Sequence, residues 1–297
     1  MKYVITGGAG HISKPIVEKL LQAGHLVTVI GRNREHLKEL ADQGAVIATG
    51  SVDDVNFLTK AFEGADAAYT MVPPNVAAPD WKTWIGKIGE NYAHAIKDAG
   101  VKYVVNLSSI GAHLPDGAGP VTGLYRAEQA LNSMKSVHIK HLRPGYFFNN
   151  FFSTANMVKQ MNIIGNNFGG HNFKMVMTDT IDIADVAAEE LLKLNFTGHT
   201  IRYIASDERN INEVAKIIGD AVGKPELPWV VFSNEQAYEG MVQAGLPQEI
   251  ARNYAEMGNA LNTGIFLEDY WKHQPDKLGS VKVENFARTF AAVYNNA

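Results

Sequence analysis

Glycines near the start of the chain form a group that could hold a phosphate. Residues 2–13 read as a short apolar strand, the loop Gly7-Gly8-Ala9-Gly10 and the start of an amphipathic helix. Gly7 permits a tight turn, and Gly10 lets the backbone approach a ligand because it has no Cβ. The amides and dipole of the helix favour negative charge. This order of elements predicts binding of a dinucleotide diphosphate, with Ser13 at the place of the third fingerprint glycine.

The residue after the second predicted strand indicates which dinucleotide is bound. Sites that prefer NAD usually carry an acidic residue here, but this chain reads VIGRNR over residues 29–34. The guanidinium of Arg32 can pair bidentately with a 2′-phosphate and stack on adenine. We therefore predict a preference for NADP(H) over NAD(H). The alternative is that Arg32 and Arg34 are solvated charges of a loop that opens a helix.

The elements that position these residues follow a regular alternation. Strand-like segments near residues 3–6, 26–30, 45–49, 67–71, 103–107 and 139–142 alternate with helix-like segments. This alternation predicts an α/β fold, a Rossmann doubly wound parallel sheet whose ligands bind at the carboxyl ends of the strands. The pattern loosens after residue 145. We predict a Rossmann domain over 1–145 and a smaller α+β substrate lobe over 146–297, with some chain returning to the sheet and one compact body.

Composition excludes several classes of function. A formal net charge of -4 gives no broad cationic surface, so nucleic acid is not an expected partner. The absence of cysteine excludes disulfides and thiolate chemistry, and the ten histidines show no metal-ligand spacing, so we predict no metal. The chain shows no apolar run of bilayer length and begins directly with a strand pattern. We therefore expect a cytoplasmic protein without a membrane partner.

Acidic residues near helix starts are interpreted as structural. Asp53 and Asp54 follow the third strand and are interpreted as helix caps, although their short polar loop could also reach an adenine. Asp182 and Asp185 are expected to cap the helix that follows residue 180. Glu189 and Glu190 read as a solvated helix face.

Several motifs in a fixed order point to a family. The glycine loop, Gly31-Arg32, NLSSIGA at 106–112, LRPGYFFNN at 142–150 and DIADVA at 182–187 together resemble the NmrA-like branch of the atypical short-chain dehydrogenases/reductases. The resemblance spans nearly the whole chain and implies a Rossmann domain that binds NAD(P) beside a small substrate lobe. Members include NADPH-dependent quinone and dye reductases, relatives similar to isoflavone reductases, and nucleotide-binding redox sensors without turnover.

The expected cofactor contacts lie on the glycine loop and at strand ends. They are Thr6, Gly7, Gly10, His11, Ile12, Arg32, Val72, Pro73, Ser108, Gln129 and Pro144. Pro73 and its neighbours would make a stiff wall beside the cofactor.

The catalytic pattern that the resemblance implies is incomplete. Such enzymes combine a serine after the fifth strand with a tyrosine and, four residues later, a lysine. Ser108 and Tyr125 occupy the first two places, but Gln129 stands at the third and brings no charge. A phenol with a pKa near 10 is a poor proton relay at neutral pH. Tyr125 is therefore either a catalytic or a packing residue, and His113 is an alternative proton donor or an exposed loop residue.

Aromatic residues after the fourth and sixth strands are suited to a flat acceptor. We expect Trp84, Tyr146 and Phe147 in the substrate pocket. Hydride transfer to a quinone needs little from an enzymic acid, because solvent can supply the proton and the protein mainly aligns the reactants. The sequence thus favours an NADP(H)-binding oxidoreductase that acts on a quinone-like or aromatic small molecule, as a monomer or homodimer. The alternative is a redox sensor with a protein partner, and an epimerase is disfavoured because it also needs the tyrosine and lysine.

Overall fold

Strands and helices alternate regularly through the first half of the chain. The computed structural model describes residues 1–296. In chain order, the elements of this half are β1 (Lys2–Ile5), α1 (Ser13–Gln22), β2 (Leu26–Gly31), α2 (Lys38–Asp42), β3 (Val46–Thr49), α3 (Val55–Phe62), β4 (Ala67–Thr70), α4 (Trp81–Ala99), β5 (Tyr103–Leu107), α5 (Pro120–Asn132) and β6 (His138–Pro144).

The second half is less regular. Its elements are β7 (Tyr146–Phe147), α6 (Ala155–Met161), β8 (Ile164–Asn166), β9 (Lys174–Thr178), α7 (Thr180–Lys193), β10 (His199–Ile204), β11 (Asp207–Asn210), α8 (Ile211–Ala221), β12 (Trp229–Val231), α9 (Asn234–Gln243), α10 (Gln248–Asn262), α11 (Glu268–Lys272) and α12 (Val283–Asn296). Two small sheets form here, with strand orders β11-β9-β7 and β12-β8.

A seven-stranded parallel sheet organises the molecule. Its strand order is β10-β6-β5-β4-β1-β2-β3, and every neighbouring pair is parallel. Successive residues face opposite sides of the sheet, and Val104 and Val105 are both fully buried because helices cover both faces. The predicted doubly wound fold is confirmed. From β1 the chain adds β2 and β3 on one side and then β4, β5 and β6 on the other, so the strand order reverses between β1 and β4, which is where such sheets bind ligands.

Side-chain caps and one glycine fix several helix ends. Asp54 and Asp80 have extended backbones and accept hydrogen bonds from the N–H groups of Phe57 and Thr83, so they begin α3 and α4. Helix α4 ends at Gly100, whose φ of 73° is left-handed. Helix α1 has no side-chain cap at its start, which leaves its first amides available.

Small residues bring α4 and α5 into close contact. A Cβ placed on Gly89 would lie 2.4 Å from the Cα of Ala127, and one on Gly123 would lie 2.6 Å from the Cβ of Ile85. No side chain larger than hydrogen fits at either position without moving a helix. The packing of these helices therefore depends on glycine at both positions.

Part of the second half of the chain belongs to the large sheet. Strand β10 pairs with β6, and α7 buries Ile183 and Leu191 against the same apolar cluster as Ile16 of α1. Residues 180–204 therefore complete the sheet layer. A separate core under the remaining elements is rich in aromatic residues, including Phe148, Phe151, Phe168 and Phe286.

Asp182 of α7 does not cap the helix as predicted. Asp179 caps α7 by accepting from the N–H of Ile181. The buried carboxylate of Asp182 instead accepts from the Ser206 hydroxyl at 2.6 Å and from the Ser280 N–H at 3.0 Å. Asp182 thus fastens a distant C-terminal segment, which its local sequence does not indicate.

The neighbouring predictions have mixed outcomes. Asp185 does not cap the helix but lies exposed, 3.0 Å from Lys19. Glu190 is buried and pairs with Arg202 at 2.7 Å. The prediction of a solvated face was wrong for Glu190, because α7 packs beside β10 and the Arg202 side chain of β10 pairs with Glu190.

Candidate functional site

The glycine loop follows β1 and turns sharply before α1. Gly7 and Gly8 have φ values of 93° and 59°, which favour glycine. Gly8 is buried against Gly31, at the end of β2. A Cβ on Gly7 would lie 2.4 Å from the Ser13 hydroxyl, so the small Ser13 side chain packs beneath the turn.

The exposed side of this loop carries several free hydrogen-bond donors. The Gly10 N–H bonds to the Gly7 carbonyl, and the Lys14 N–H bonds to the Gly10 carbonyl. Within residues 1–296, no acceptor is found for the backbone N–H groups of four other residues, which are Ala9, His11, Ile12 and Ser13. No acidic side chain occupies the first turn of α1. A concentration of free amides at the positive end of a helix dipole fits a diphosphate.

Arg32 lies exposed directly after β2, beside this loop. Gly31 contacts Gly8, which brings the end of β2 next to the glycine turn. The Arg32 guanidinium has no hydrogen-bond or ion-pair partner among the residues that the structure describes. Asn33 caps the turn that follows by accepting from the Glu35 N–H at 2.9 Å. The backbone is therefore ordered while the cation stays available to a ligand.

Two of the predicted cofactor contacts have buried side chains. Thr6 is fully buried, and its hydroxyl oxygen accepts from the Met71 N–H at 3.0 Å. Pro144 is also buried, and its carbonyl accepts from the Ile110 N–H at 2.9 Å. Both residues hold loops at the carboxyl edge of the sheet, where neither side chain is open to a ligand.

Other predicted contacts remain accessible. His11 is exposed and Ile12 is half-buried on the glycine loop, while Val72 and Pro73 are half-buried after β4. These four residues border the same edge of the sheet as the free amides.

Ser108 contacts a buried ion pair. Its hydroxyl donates to Glu128 Oε1 at 2.5 Å, and Glu128 accepts from Arg143 Nε at 3.0 Å and Nη2 at 2.6 Å. Arg143 also donates to the Ala112 carbonyl and the Tyr203 hydroxyl. Burial alone would lower the pKa of Arg143, but its hydrogen bonds to Glu128 raise it, so the cation persists. Glu128 and Arg143 were not singled out from the sequence, because α5 and β6 each carry several other polar residues and nothing local marks these two as partners.

The structure does not bring Tyr125 and Gln129 to Ser108. Both line a surface groove between α4 and α5 together with Glu90 and His94. Successive helix residues are about 100° apart, so an inward Glu128 turns the adjacent Gln129 away from the sheet, and Gln129 is exposed. In this structure the Ser108 hydroxyl is bonded to Glu128 and not to Tyr125.

His113 is held in place rather than free in its loop. Its Nε2 lies 3.2 Å from the Ile265 carbonyl, and its Nδ1 is buried without a partner among residues 1–296. Burial lowers the pKa of His113.

Three aromatic side chains from separate elements lie near one another at the carboxyl edge. Trp81, the first residue of α4, meets Tyr254 of α10 edge-on, with 5.5 Å between ring centroids. Burial, and then the proximity of Tyr254, raise the pKa of Tyr146. The hydroxyls of Tyr146 and Tyr254 have no partner within the described residues. We refer to Trp81, Tyr146 and Tyr254 as the aromatic cluster.

The other predicted pocket residues divide between two places. Phe147 packs against the same apolar cluster as Ile12 and Met71. The Trp84 indole donates to Asp53 Oδ1 at 3.0 Å, and Asp53 follows β3 at the far edge of the sheet. Trp84 therefore lies toward the adenine side of a Rossmann site, and Trp81 is the tryptophan of α4 that contacts Tyr254.

Residues 1–296 contain neither a candidate membrane-spanning helix nor a candidate metal cluster. No helix in this range combines the length and apolarity needed to cross a bilayer. No group of three or more acidic or histidine side chains in it could hold a metal ion.

Comparison with known proteins identifies sequence relatives over most of the chain. The model of the NmrA-like family matches residues 2–287. The (4-alkanoyl-5-oxo-2,5-dihydrofuran-3-yl)methyl phosphate reductase of Streptomyces griseus is 24% identical over 88% of this chain and 87% of its own. An uncharacterised oxidoreductase of Bacillus subtilis, YesF, is 26% identical over 88% of this chain and 85% of its own.

Solved structures share the fold. The NADPH-dependent quinone oxidoreductase QOR2 of Escherichia coli has a TM-score of 0.79 at 18% identity, covering 97% of this chain and 98% of its own. The triphenylmethane reductase of Citrobacter sp., solved with NADP(H), has a TM-score of 0.79 at 22% identity, covering 98% of this chain and 100% of its own. At these identities the likeness concerns the fold.

Proposed function

The chain belongs to the NmrA-like family, and on that premise we propose that it is an NADP(H)-binding oxidoreductase that acts on a quinone-like or aromatic acceptor. The observation that carries the proposal is the set of free amides on the glycine loop beside the unpaired Arg32. Free amides suit a diphosphate, and a free guanidinium suits a 2′-phosphate.

Each part of the cofactor has candidate residues in this chain. The N–H groups of Ala9, His11, Ile12 and Ser13 would hold the diphosphate, and Arg32 would hold the 2′-phosphate. Val72 and Pro73 would form a wall beside the other half of the cofactor. When bound, NADPH supplies the hydride.

The protein side chains would mainly align the acceptor and exclude water. The aromatic cluster provides flat surfaces at the carboxyl edge of the sheet, where a ring can lie beside the cofactor wall. The Ser108 proton is directed at Glu128, so Ser108 offers only lone pairs to a ligand. We infer that water supplies the proton that a reduced acceptor takes up.

The names of the relatives support this chemistry. The Streptomyces griseus relative is named as a reductase, and two proteins of the same fold are named for quinone and triphenylmethane reduction. Reduction of an electron-poor acceptor demands no enzymic acid, which agrees with a sequence that has Gln129 where the catalytic pattern has a lysine.

A redox sensor without turnover is the second candidate. The observation in its favour is the surface position of Tyr125 and Gln129, which leaves no tyrosine and lysine pair at the edge of the sheet. The unpaired hydroxyls of Tyr146 and Tyr254 favour the enzyme, since a sensor needs no polar groups above the cofactor.

A turnover assay separates the two candidates. Purified protein is mixed with NADPH and a panel of quinones and triphenylmethane dyes, and the loss of NADPH absorbance is followed, with NADH as the matched comparison. We expect turnover with at least one acceptor and a higher kcat/KM for NADPH than for NADH. Tight NADPH binding without turnover on any acceptor would indicate the sensor.

A further inference from the structure

Strand β10 forms one edge of the large sheet, and its only neighbour there is β6. In a parallel ladder, every second residue of a strand directs both its N–H and its carbonyl to the same neighbour. The carbonyl of Gly198, just before β10, accepts from the Ile139 N–H of β6 at 2.8 Å. The even-numbered positions therefore bond to β6, and the backbone groups of Ile201 and Tyr203 face outward.

The outward backbone groups of β10 are free. Within residues 1–296, the N–H and carbonyl groups of Ile201 and Tyr203 have no hydrogen-bond partner outside the ladder. Sheet edges are usually protected by a proline, a bulge or a charged side chain. Strand β10 contains no proline and pairs in continuous register, and its central cation, Arg202, is bonded to Glu190 of α7. Ile201 is 47% exposed, so this edge is an open template.

A groove of about 590 Å³ lies beside the free edge. Residues 201–203 line one side, and Asp269 and residues 273–277 line the other. We call residues 273–277 the wall. The Gly279 N–H donates to the Ala205 carbonyl at 2.8 Å, which fixes the chain after the wall close to the end of β10. In the described part of the chain, no backbone group of the wall bonds to Ile201 or Tyr203. The space between edge and wall is therefore open to a ligand.

An extended peptide is the ligand that matches this edge. Its alternate N–H and carbonyl groups can pair with those of Ile201 and Tyr203, which is how peptides add to exposed sheet edges. A second copy of this chain does not match the groove. Its own β10 is flanked by its own wall, which would meet the first wall before the two edges came within the roughly 4.8 Å that paired strands need. A single strand has no such obstacle.

The charges around the groove favour a basic peptide. Carboxylates outnumber cations on and next to its lining, and the buried pair of Arg143 and Glu128 behind Asp269 adds no net charge. The carboxylates are Asp269, Asp276, Glu189 and Glu190, and the cations are Arg202 and Lys277. Asp276 is exposed and has no ion-pair partner among residues 1–296. Complementary charge attracts a partner and helps to select it.

We propose that the free edge of β10 and the groove beside it bind an extended, basic segment of a partner protein, which adds to the large sheet as an eighth strand. Backbone pairing with Ile201 and Tyr203 supplies the affinity, and the carboxylates select lysine or arginine side chains. This inference does not depend on the proposed function, because β10 is separated from the glycine loop by β6, β5 and β4.

Three matched peptides test the two parts of the inference. The probe is a blocked, fluorescein-labelled pentapeptide of sequence Lys-Val-Thr-Val-Lys, titrated with the full chain and followed by fluorescence anisotropy. The second peptide has an N-methyl group on every residue and cannot donate backbone hydrogen bonds, and the third has glutamate in place of lysine. We expect saturable binding of the probe and at least about tenfold weaker binding of both other peptides.

Two variants of β10 identify the backbone group responsible. Ile201→Pro removes the outward N–H without removing a ladder bond, and proline is tolerated on the free side of an edge strand. It is expected to weaken the probe by about tenfold. Ile201→Val is the matched control, because it keeps both the N–H and a β-branched apolar side chain, and it is expected to bind the probe as the wild-type protein does. Urea unfolding of both variants verifies that they fold.

A surface variant tests the charge without touching the strand. Asp276→Lys changes an exposed residue that makes no ion pair within residues 1–296, so the fold is expected to persist. It should weaken the lysine peptide and strengthen the glutamate peptide, with the N-methylated peptide still excluded.

Three results would overturn the inference. One is a wild-type protein that binds the N-methylated peptide as tightly as the probe or binds neither, and another is probe affinity that survives Ile201→Pro. The third is a concentration-dependent dimer in sedimentation equilibrium that Ile201→Pro abolishes, which would assign the edge to a second copy. NADPH turnover has no bearing on these results, so a protein that binds the probe without oxidising NADPH would refute only the oxidoreductase.

Discussion

Replacing Arg32 with alanine is expected to remove most of the preference for NADPH over NADH. Arg32 is exposed after β2, and the described residues offer it no partner. Its loss therefore breaks no internal contact, and the variant is expected to fold with wild-type stability. The whole effect of the substitution then concerns the ligand.

The size of the effect follows from the kind of contact. A charge-assisted hydrogen bond generally contributes about 1.5 to 3 kcal/mol, and salt screens an exposed pair toward the lower figure. Since 1.4 kcal/mol is one factor of ten, NADPH should bind about 10- to 30-fold more weakly to Arg32→Ala. NADH has no 2′-phosphate, so its affinity should change by less than about twofold, which corresponds to less than about 0.5 kcal/mol.

Calorimetric titrations of NADPH and NADH into both proteins measure the four affinities. Lys38→Ala is a suitable control, because Lys38 is an exposed cation at the start of α2, beyond the Asn33 turn. The control is expected to retain the preference. If the wild-type protein binds both nucleotides equally, or if Arg32→Ala weakens both equally, the assignment of Arg32 to the 2′-phosphate is refuted.

Three further predictions concern stability, measured as the free energy of unfolding in urea. Burial lowers the pKa of His141 to about 4, below the unfolded value near 6.5. The unfolded chain therefore takes up a proton first, and the folded protein should lose up to about 3 kcal/mol as pH falls from about 6.5 to about 4. His141→Gln should flatten this pH window, and an unchanged slope would refute the assignment. Gly89→Ala should cost about 1 to 3 kcal/mol through its contact with α5, whereas Gly240→Ala, with open space around it, should gain up to about 1 kcal/mol; equal effects would contradict the packing. Glu128→Gln leaves Arg143 without its buried anion and should cost about 3 kcal/mol, so unchanged stability would show that the pair is unimportant.

The large sheet could be predicted because its signals are local. Strand β5 was expected at residues 103–107, and the structure has it at Tyr103–Leu107. A run of buried β-branched residues and the glycines around it are sufficient for such a prediction. The same holds for Asp54, whose capping role depends only on the next three residues.

The missed features depend on contacts that are distant in sequence. Asp182 meets Ser280 across 98 positions, and no local pattern indicates this contact. Glu128 and Gln129 are adjacent on α5, so which of them faces the sheet depends on how the helix is rotated against α4 and β6. Helical periodicity predicts the angle between neighbouring side chains. It does not predict which of two adjacent polar side chains faces the core.

Calorimetric titration of the wild-type protein with NADPH tests the central claim most directly, because the whole account depends on the free amides between β1 and α1. One molecule of NADPH should bind per chain with clear heat, and added inorganic pyrophosphate should weaken that binding by competing for the same amides. The absence of any heat, or binding that pyrophosphate leaves unaffected at low salt, would contradict the claim that this loop holds a dinucleotide.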